Sequence, residues 1–207
     1  MREHVFAMTW RPPDAWSYSY LLGMYLGDGC ISNTGRRSYQ LVITCALDYP
    51  DIIDDCVTAV VLTLLPRSVR CNRHRVSRCV RVTASCTRWP EAFPQHEPGR
   101  KHSRRIELAP WQREIVDRFP QEFLRGLLHS DGCRTVNRFK TKLPSGRVAE
   151  YAYPRWFFSN RSADIRGLFC EYCERLGIRW TQSNPRNIPI SHRTSVALVD
   201  SFVPAKS

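Results

Sequence analysis

The sequence predicts an α+β protein made of two pseudo-symmetric halves, each combining helices with an antiparallel sheet. Three observations carry that prediction. One stretch occurs twice without a gap: Tyr-Leu-Leu-Gly-Met-Tyr-Leu-Gly-Asp-Gly-Cys-Ile-Ser from Tyr20 to Ser32, and Phe-Leu-Arg-Gly-Leu-Leu-His-Ser-Asp-Gly-Cys-Arg-Thr from Phe123 to Thr135. After each copy the same patterns follow in the same order, first alternation with a period of two, then helical periodicity, then alternation again. Gly, Pro and Asn mark the turns and helix ends between them.

Residues 1–14 are a polar lead-in ending in Pro12 and Pro13, an N-terminal tail before a first half at 15–95. The first repeat opens that half as a short helix running into Asp28; the second opens a half at 119–207 and runs into Asp131. Both helices carry small residues four apart, Gly23 with Gly27 and Gly126 with Ser130, a spacing that lets two backbones approach closely. Gly29 and Gly132 stand where a helix C-terminus often takes a positive φ. Packing through the small faces would bring Asp28 and Asp131 out side by side. A helix C-terminus already carries partial negative charge and disfavours a carboxylate. Two acids at two negative helix ends therefore call for a divalent cation, and their oxygens suit a hard ion such as Mg²⁺. A lone copy would read as a plain helix ending in an Asp-Gly turn; the duplication points to a site.

The segments from Leu21 to Gly29 and from Leu124 to Gly132 resemble the LAGLIDADG motif of the homing endonucleases, and a chain with two copies resembles the monomeric, pseudo-twofold members. The spacing, 131 − 28 = 103 residues, is about one αββαββα half of that fold, whose antiparallel sheets form a DNA-binding saddle. The resemblance runs from about Trp16 onward, and its specificity rests on the two motifs. It implies that Asp28 and Asp131, flanked by Gly27 and Ser130, hold the divalent ions that cleave DNA: Mg²⁺ or Mn²⁺, with Ca²⁺ binding but not supporting cleavage. It further implies cutting of both strands across a minor groove, leaving short 3′ overhangs.

Along the first half, residues 30–33 start a strand, Asn33 to Arg37 supply a turn, and residues 39–45 form the return strand, with Leu41 and Ile43 on one face and Gln40 and Thr44 on the other. A helix at 51–65 follows and is closed by Pro66. A hairpin at 69–75 and 77–86 places Val80, Val82 and Ala84 inward and Arg81, Thr83 and Ser85 outward. A two-stranded ribbon fits the DNA major groove, where Arg, Gln, Thr and Ser reach base edges or phosphates. Gln40, Thr44, Arg70, Arg73, Arg75, Arg81, Thr83 and Ser85 are the candidate contacts; an ordinary solvated sheet face is the alternative.

A short helix at 89–93 leads into a basic junction at 96–118 that ends in a helix at 110–118. In this junction Lys101 lies about where members of the family hold a basic residue near the active site, and such a cation steadies charge in phosphoryl chemistry. Arg100, His102 and Arg104 compete for that role. The second half carries a longer hairpin, 164 − 131 = 33 residues from acid to helix against 51 − 28 = 23 in the first. Arg134, Arg138, Lys140, Lys142, Arg147 and Arg155 are its candidate contacts. Asn160 stands where it could cap the helix at 163–176 or hold active-site water. Residues 178–182 and 188–191 read as a last hairpin and 195–202 as a final helix, with His192 and Arg193 roughly matching Lys101.

With Lys+Arg 31 against Asp+Glu 19, net charge +12, the chain should seek a polyanion. Nearly all of that charge is arginine, the better fork for phosphate and guanine. No apolar run approaches the roughly 20 residues that span a bilayer, and no secretory leader is visible. Nine cysteines without an export signal suggest reduced thiols in a cytoplasm. Cys170 and Cys173 lack a second pair to complete a zinc site and read as helix residues, while Cys71, Cys79 and Cys86 read as small strand residues. The sequence thus predicts a monomeric, metal-dependent endonuclease acting on a long, imperfectly palindromic double-stranded DNA site, as in intron homing. A DNA-binding transcriptional regulator on the same scaffold, an RNA-splicing maturase and a metal-free structural module are the alternatives.

Overall fold

The computed structural model describes residues 10–35 and 38–204. Most of the N-terminal tail, and Arg36 and Arg37 of the first turn, lie outside the described residues. The first half runs α1 (Ala15–Asp28), β1 (Gly29–Gly35), β2 (Ser38–Ala46), α2 (Pro50–Leu64), β3 (Val69–Arg73), β4 (Cys79–Cys86) and the short α3 (Trp89–Ala92). A 3-10 turn at Lys101–Ser103 and α4 (Pro110–Arg118) lead to α5 (Pro120–Asp131), β5 (Gly132–Lys142), β6 (Val148–Ser159), α6 (Ala163–Arg175), β7 (Asn187–Ile190) and α7 (Arg193–Phe202). The sheets are antiparallel, one ordered β1-β2-β4-β3 and the other β5-β6-β7.

The α1 helix is capped by Asp14, whose side chain accepts from the Ser17 amide at 2.7 Å. It is buried continuously from Ser17 to Leu26, and α5 from Phe123 to His129, so both are central helices with no solvent face along those runs. They pack on each other through their small residues. A Cβ on Gly23 would stand 2.4 Å from the Phe123 carbonyl oxygen, one on Gly126 2.1 Å from the Tyr20 carbonyl oxygen, and one on Gly27 2.1 Å from Ser130 Oγ. Gly23 thus meets Gly126 and Gly27 meets Ser130, both with the offset of 103 residues that separates the motifs. Equal offsets along both helices mean that they run parallel and end together.

Gly29 and Gly132 have φ near −96°, an extended backbone, and not the positive φ expected of them. Their reason is space: a Cβ would lie 2.6 Å from Tyr25 Cα in the first case and 2.4 Å from the Leu128 carbonyl oxygen in the second. The chain passes straight from helix to strand there, and only glycine clears the last turn.

Each sheet lays one face on the helices. Leu41, Ile43, Val82 and Ala84 of the first sheet and Trp156, Phe158, Ile188 and Ile190 of the second are buried in a common core with both central helices. Phe158 stacks on Phe169 of α6 at 4.2 Å. The α2 helix ends one residue earlier than predicted, because Leu65 adopts φ 45° ahead of Pro66. Residues 178–182 form no strand. Their segment runs beside β7, with the Thr181 amide donating to the Pro189 carbonyl at 3.0 Å, but Pro189 has no N–H to continue the ladder. Among the described residues, no helix is long and apolar enough to cross a membrane.

Gly126→Val should force α1 and α5 apart and cost about 1–3 kcal/mol. Gly167→Ala in α6, where a Cβ meets nothing within 4 Å, should stabilise by roughly 0.5–1 kcal/mol. Urea denaturation of the two variants against wild type measures both.

Candidate functional site

Parallel packing of α1 and α5 brings their C-terminal acids to one end of the pair. Asp28 is exposed and Asp131 half-buried. A Cβ on Gly27 would be 3.0 Å from Asp131 Oδ2, which places that carboxylate against the last turn of the opposite helix. Asn160, just beyond β6, donates from Nδ2 to Asp131 Oδ2 at 2.6 Å and accepts from the Ser162 amide at 2.7 Å. Capping of α6 belongs to Ser162, whose hydroxyl accepts from the Ile165 amide. Asn160 therefore orients the acid.

Lys101 comes to the same point from the junction. Its Nζ donates to the carbonyls of Tyr25 and Gly27, the latter at 3.1 Å, and lies 4.9 Å from the centre of the Tyr25 ring. It therefore caps the negative end of α1. Burial pushes its ammonium down to about 8, against the upward pull of Asp131 and then Asp28. Lys101 thus lies within electrostatic reach of both acids while bonded to the last turn of α1.

The loop that delivers Lys101 is tied to both halves. Tyr18 of α1 donates to the Ala92 carbonyl at 2.6 Å and accepts from Gln112 Nε2 at 2.7 Å, while Gln95 Nε2 donates to Gln112 Oε1 at 2.6 Å. On the other side, the Ile106 amide donates to Asp164 Oδ2 at 2.8 Å. The cleft beside Asp131, of about 270 Å³, is lined by Gly27, Lys101, His102, Asn160 and Arg161 among others.

The donors fit a hard cation. Two carboxylates and the Gly27 carbonyl are oxygen ligands of the sort Mg²⁺ takes together with water or phosphate oxygens. No group of three or more His, Cys, Asp or Glu suited to a metal is found among the described residues, so the remaining positions would fall to water or substrate. The Ser130 hydroxyl turns back onto the Gly126 and Leu127 carbonyls at 3.1 and 3.0 Å, so a contact from Ser130 to a metal would come through its carbonyl, as from Gly27. His192 and Arg193 do not line this cleft; His192 precedes α7 and bonds Arg179 and Thr194.

Strand register sorts the candidate contacts by face. In the first sheet Gln40, Thr44, Arg70, Arg81, Thr83 and Ser85 share the open face with Asn72, a residue the sequence reading missed. Gln40, Arg70, Thr83 and Ser85 line one shallow cleft. The Thr83 hydroxyl is buried and donates to the Arg70 carbonyl at 3.3 Å. Arg73 pairs with the inward Val80, so the pleat turns it to the other face, and Arg75 lies in the exposed turn between β3 and β4.

In the second sheet the register moves four candidates off the open face. Arg134 pairs with the buried Trp156, and Arg138, Lys140 and Lys142 follow at even spacing on that same side. Arg134 makes a two-pronged bond to Asp200 of α7, both arms at 2.8 Å, and Lys140 pairs with Glu150. The period-two pattern was visible, but the side was set by burial of Trp156 and Phe158. Arg147 sits in the turn between β5 and β6, and only Arg155 stays on the open face, its Nε buried with no hydrogen-bond partner. That face also carries Phe139, Tyr151 and Tyr153, which were not predicted.

No family model and no curated protein matches the sequence. Solved structures do. The LAGLIDADG meganuclease I-AabMI bound to uncleaved DNA superposes with a TM-score of 0.57 at 11% identity, covering 93% of this chain and 84% of that one. The LAGLIDADG homing endonuclease I-LtrWI bound to target DNA gives 0.57 at 8% identity over 93% and 85%, and the homing endonuclease I-WcaI bound to its DNA recognition sequence 0.52 at 12% over 94% and 83%. At this identity what is shared is the fold: the chain has the fold of the LAGLIDADG homing endonucleases.

The Arg134 hydrogen bond, with a second from Trp156, holds the Asp200 carboxyl below its ordinary value of 3.8. A depressed carboxylate stabilises the fold above its unfolded pKa and loses that contribution as pH falls through the folded one. Asp200→Asn should therefore cost about 1 kcal/mol near neutrality, the pair being partly exposed, and the gap to wild type should narrow as pH falls below 3.8. Urea titrations across that range measure it.

Proposed function

We propose that the chain is a divalent-metal-dependent DNA endonuclease of the homing type, hydrolysing phosphodiester bonds within a long, imperfectly palindromic duplex. The observation that carries this reading is the parallel ending of α1 and α5 at Asp28 and Asp131, with Lys101 bonded to the Gly27 carbonyl at that joint end, where β1 and β5 begin. A regulator on this scaffold would need the open sheet faces but not a lysine held at the joined, acid-bearing helix ends.

Asp28 and Asp131, with the Gly27 carbonyl, would hold Mg²⁺ or Mn²⁺. Such ions supply Lewis-acid stabilisation of the entering and leaving oxygens of an in-line displacement and lower the pKa of water. Asn160 fixes the Asp131 carboxylate so that it needs no reorganisation when substrate arrives. Lys101 Nζ, a cation at neutral pH, stands ready to steady negative charge that develops on the scissile phosphate. Strands leaving the site on either side then lay their open faces along the two half-sites. Gln40, Thr44, Arg70, Asn72, Arg81 and Ser85 serve one side and Arg155 the other, with Arg75 and Arg147 in the turns reaching phosphates. Arg138, Lys140 and Lys142, on the opposite face, are left to long-range attraction of the polyanion.

The halves differ in reach. At about 3.3 Å per residue, β1 with seven residues spans roughly 23 Å and β5 with eleven roughly 36 Å. The duplex should therefore be covered further on the second side.

Purified protein given Mg²⁺ and duplex carrying its selected site should cut both strands. Asp28→Asn or Asp131→Asn should lower the cleavage rate by at least about 10²-fold while binding in chelator stays near wild type. Cleavage by the double variant at the wild-type rate would remove both acids from the chemistry. Affinity should also fall steeply between low and moderate salt as phosphate counterions are released.

A further inference from the structure

The open face of the second sheet carries a cluster that a merely polar DNA-reading surface does not need. Phe139 on β5 lies directly across from Tyr151 on β6, with ring centres 5.4 Å apart, and Tyr153 stands 5.9 Å from Phe139 and 6.0 Å from Tyr151. Phe139 is 42% and Tyr153 48% exposed. Among the described residues, none of the large exposed apolar side chains falls on β1, β2, β3 or β4. The feature belongs to one half only.

We propose that these three rings read thymine C5-methyl groups in the major groove of the second half-site, a reading that rests on the duplex-DNA function proposed above. Charge selects the class of partner. Residues 132–159 hold Arg134, Arg138, Lys140, Lys142, Arg147 and Arg155 against Glu150 alone, so the cluster is set in a strongly positive hairpin that suits a polyanion. Ring orientation selects the kind of contact. The planes lie within 34° of one another, and within 11° for Tyr151 and Tyr153, so faces inside the cluster are turned toward neighbouring rings. Stacking an unpaired base needs a free face. Ring edges meet instead the apolar group of the major groove, the thymine methyl, while the two hydroxyls remain available to neighbouring acceptors. Position follows from strand rise: 139 − 131 = 8 residues from the acid is about 26 Å along β5, or about seven to eight base pairs at 3.4 Å each.

The test uses the full chain in divalent-free buffer and a pool of randomised duplexes. Bound duplexes should be enriched for thymine about seven to eight base pairs from the centre, on one side only. Replacing those thymines with deoxyuridine, which removes only the methyl, should weaken binding by about fourfold per methyl contacted. The same exchange in the other half-site should change little. The variant Phe139→Ser/Tyr151→Ser/Tyr153→Ser should bind thymine and uracil sites equally while keeping its selectivity over the first half-site. Wild-type indifference to the methyl, or a variant that still discriminates, overturns the assignment while leaving the DNA reading intact. Tighter binding when those base pairs are mismatched would mean stacking on unpaired bases and also overturns it. Failure to retain any duplex overturns this assignment and the nuclease reading together.

Discussion

Backbone contact between α1 and α5 is the constraint on which the rest of the structure depends. Gly23 and Gly126 leave no room for a Cβ, and Gly27 none beside Ser130, so the helices lie parallel and in register over their last two turns. Parallel helices end together. Two acids are thereby delivered to one point where both helix dipoles are also negative, an arrangement that is electrostatically unfavourable unless a positive charge occupies it. Part of that charge is built in. Lys101 is half-buried against the terminal carbonyls of α1, where burial pulls its pKa down and the attraction of Asp131 and then Asp28 opposes that.

The same geometry sets the interface. Because Gly29 and Gly132 carry the chain from helix to strand without a loop, the first residues of β1 and β5 start at the acids, and each sheet's open face extends outward from the site. The two faces are chemically unlike. One offers amide, hydroxyl and guanidinium groups; the other offers an aromatic cluster and Arg155 on a longer ribbon. Under the function proposed above, such a pair would recognise an imperfect palindrome, with the chemistry shared at the centre and the selectivity divided between the ends.

Much of this was legible in the sequence because it lies in short-range pattern. The duplicated Gly-x-x-x-small spacing and the acid after it gave the helix pairing and the location of Asp28 and Asp131, whereas Lys101 was suggested by the family resemblance alone, beside Arg100, His102 and Arg104. What was not legible depends on tertiary context. Which side of β5 is open follows from Trp156 and Phe158 entering the core on β6, so the sequence did not show that Arg134, Arg138, Lys140 and Lys142 share the side opposite Arg155. Counting the odd positions of β6, Tyr151, Tyr153 and Arg155, would have found the aromatic face had Trp156 been taken as the inward anchor. Glycine after each acid was read as a positive-φ cap, whereas its cause is steric contact with the preceding turn, which no single-chain pattern encodes. Asn160 was ambiguous between capping and the site until Ser162 was seen to cap α6.

The central claim is that Asp28 and Asp131 share one cation-binding point, and paramagnetic relaxation by Mn²⁺ tests it most directly. In ¹⁵N-labelled protein, sub-stoichiometric Mn²⁺ should broaden the Gly29 and Gly132 amides together, with a single titration midpoint, and Asp28→Asn/Asp131→Asn should abolish both effects. Broadening of one glycine without the other, or of neither while amides elsewhere respond, would contradict the account.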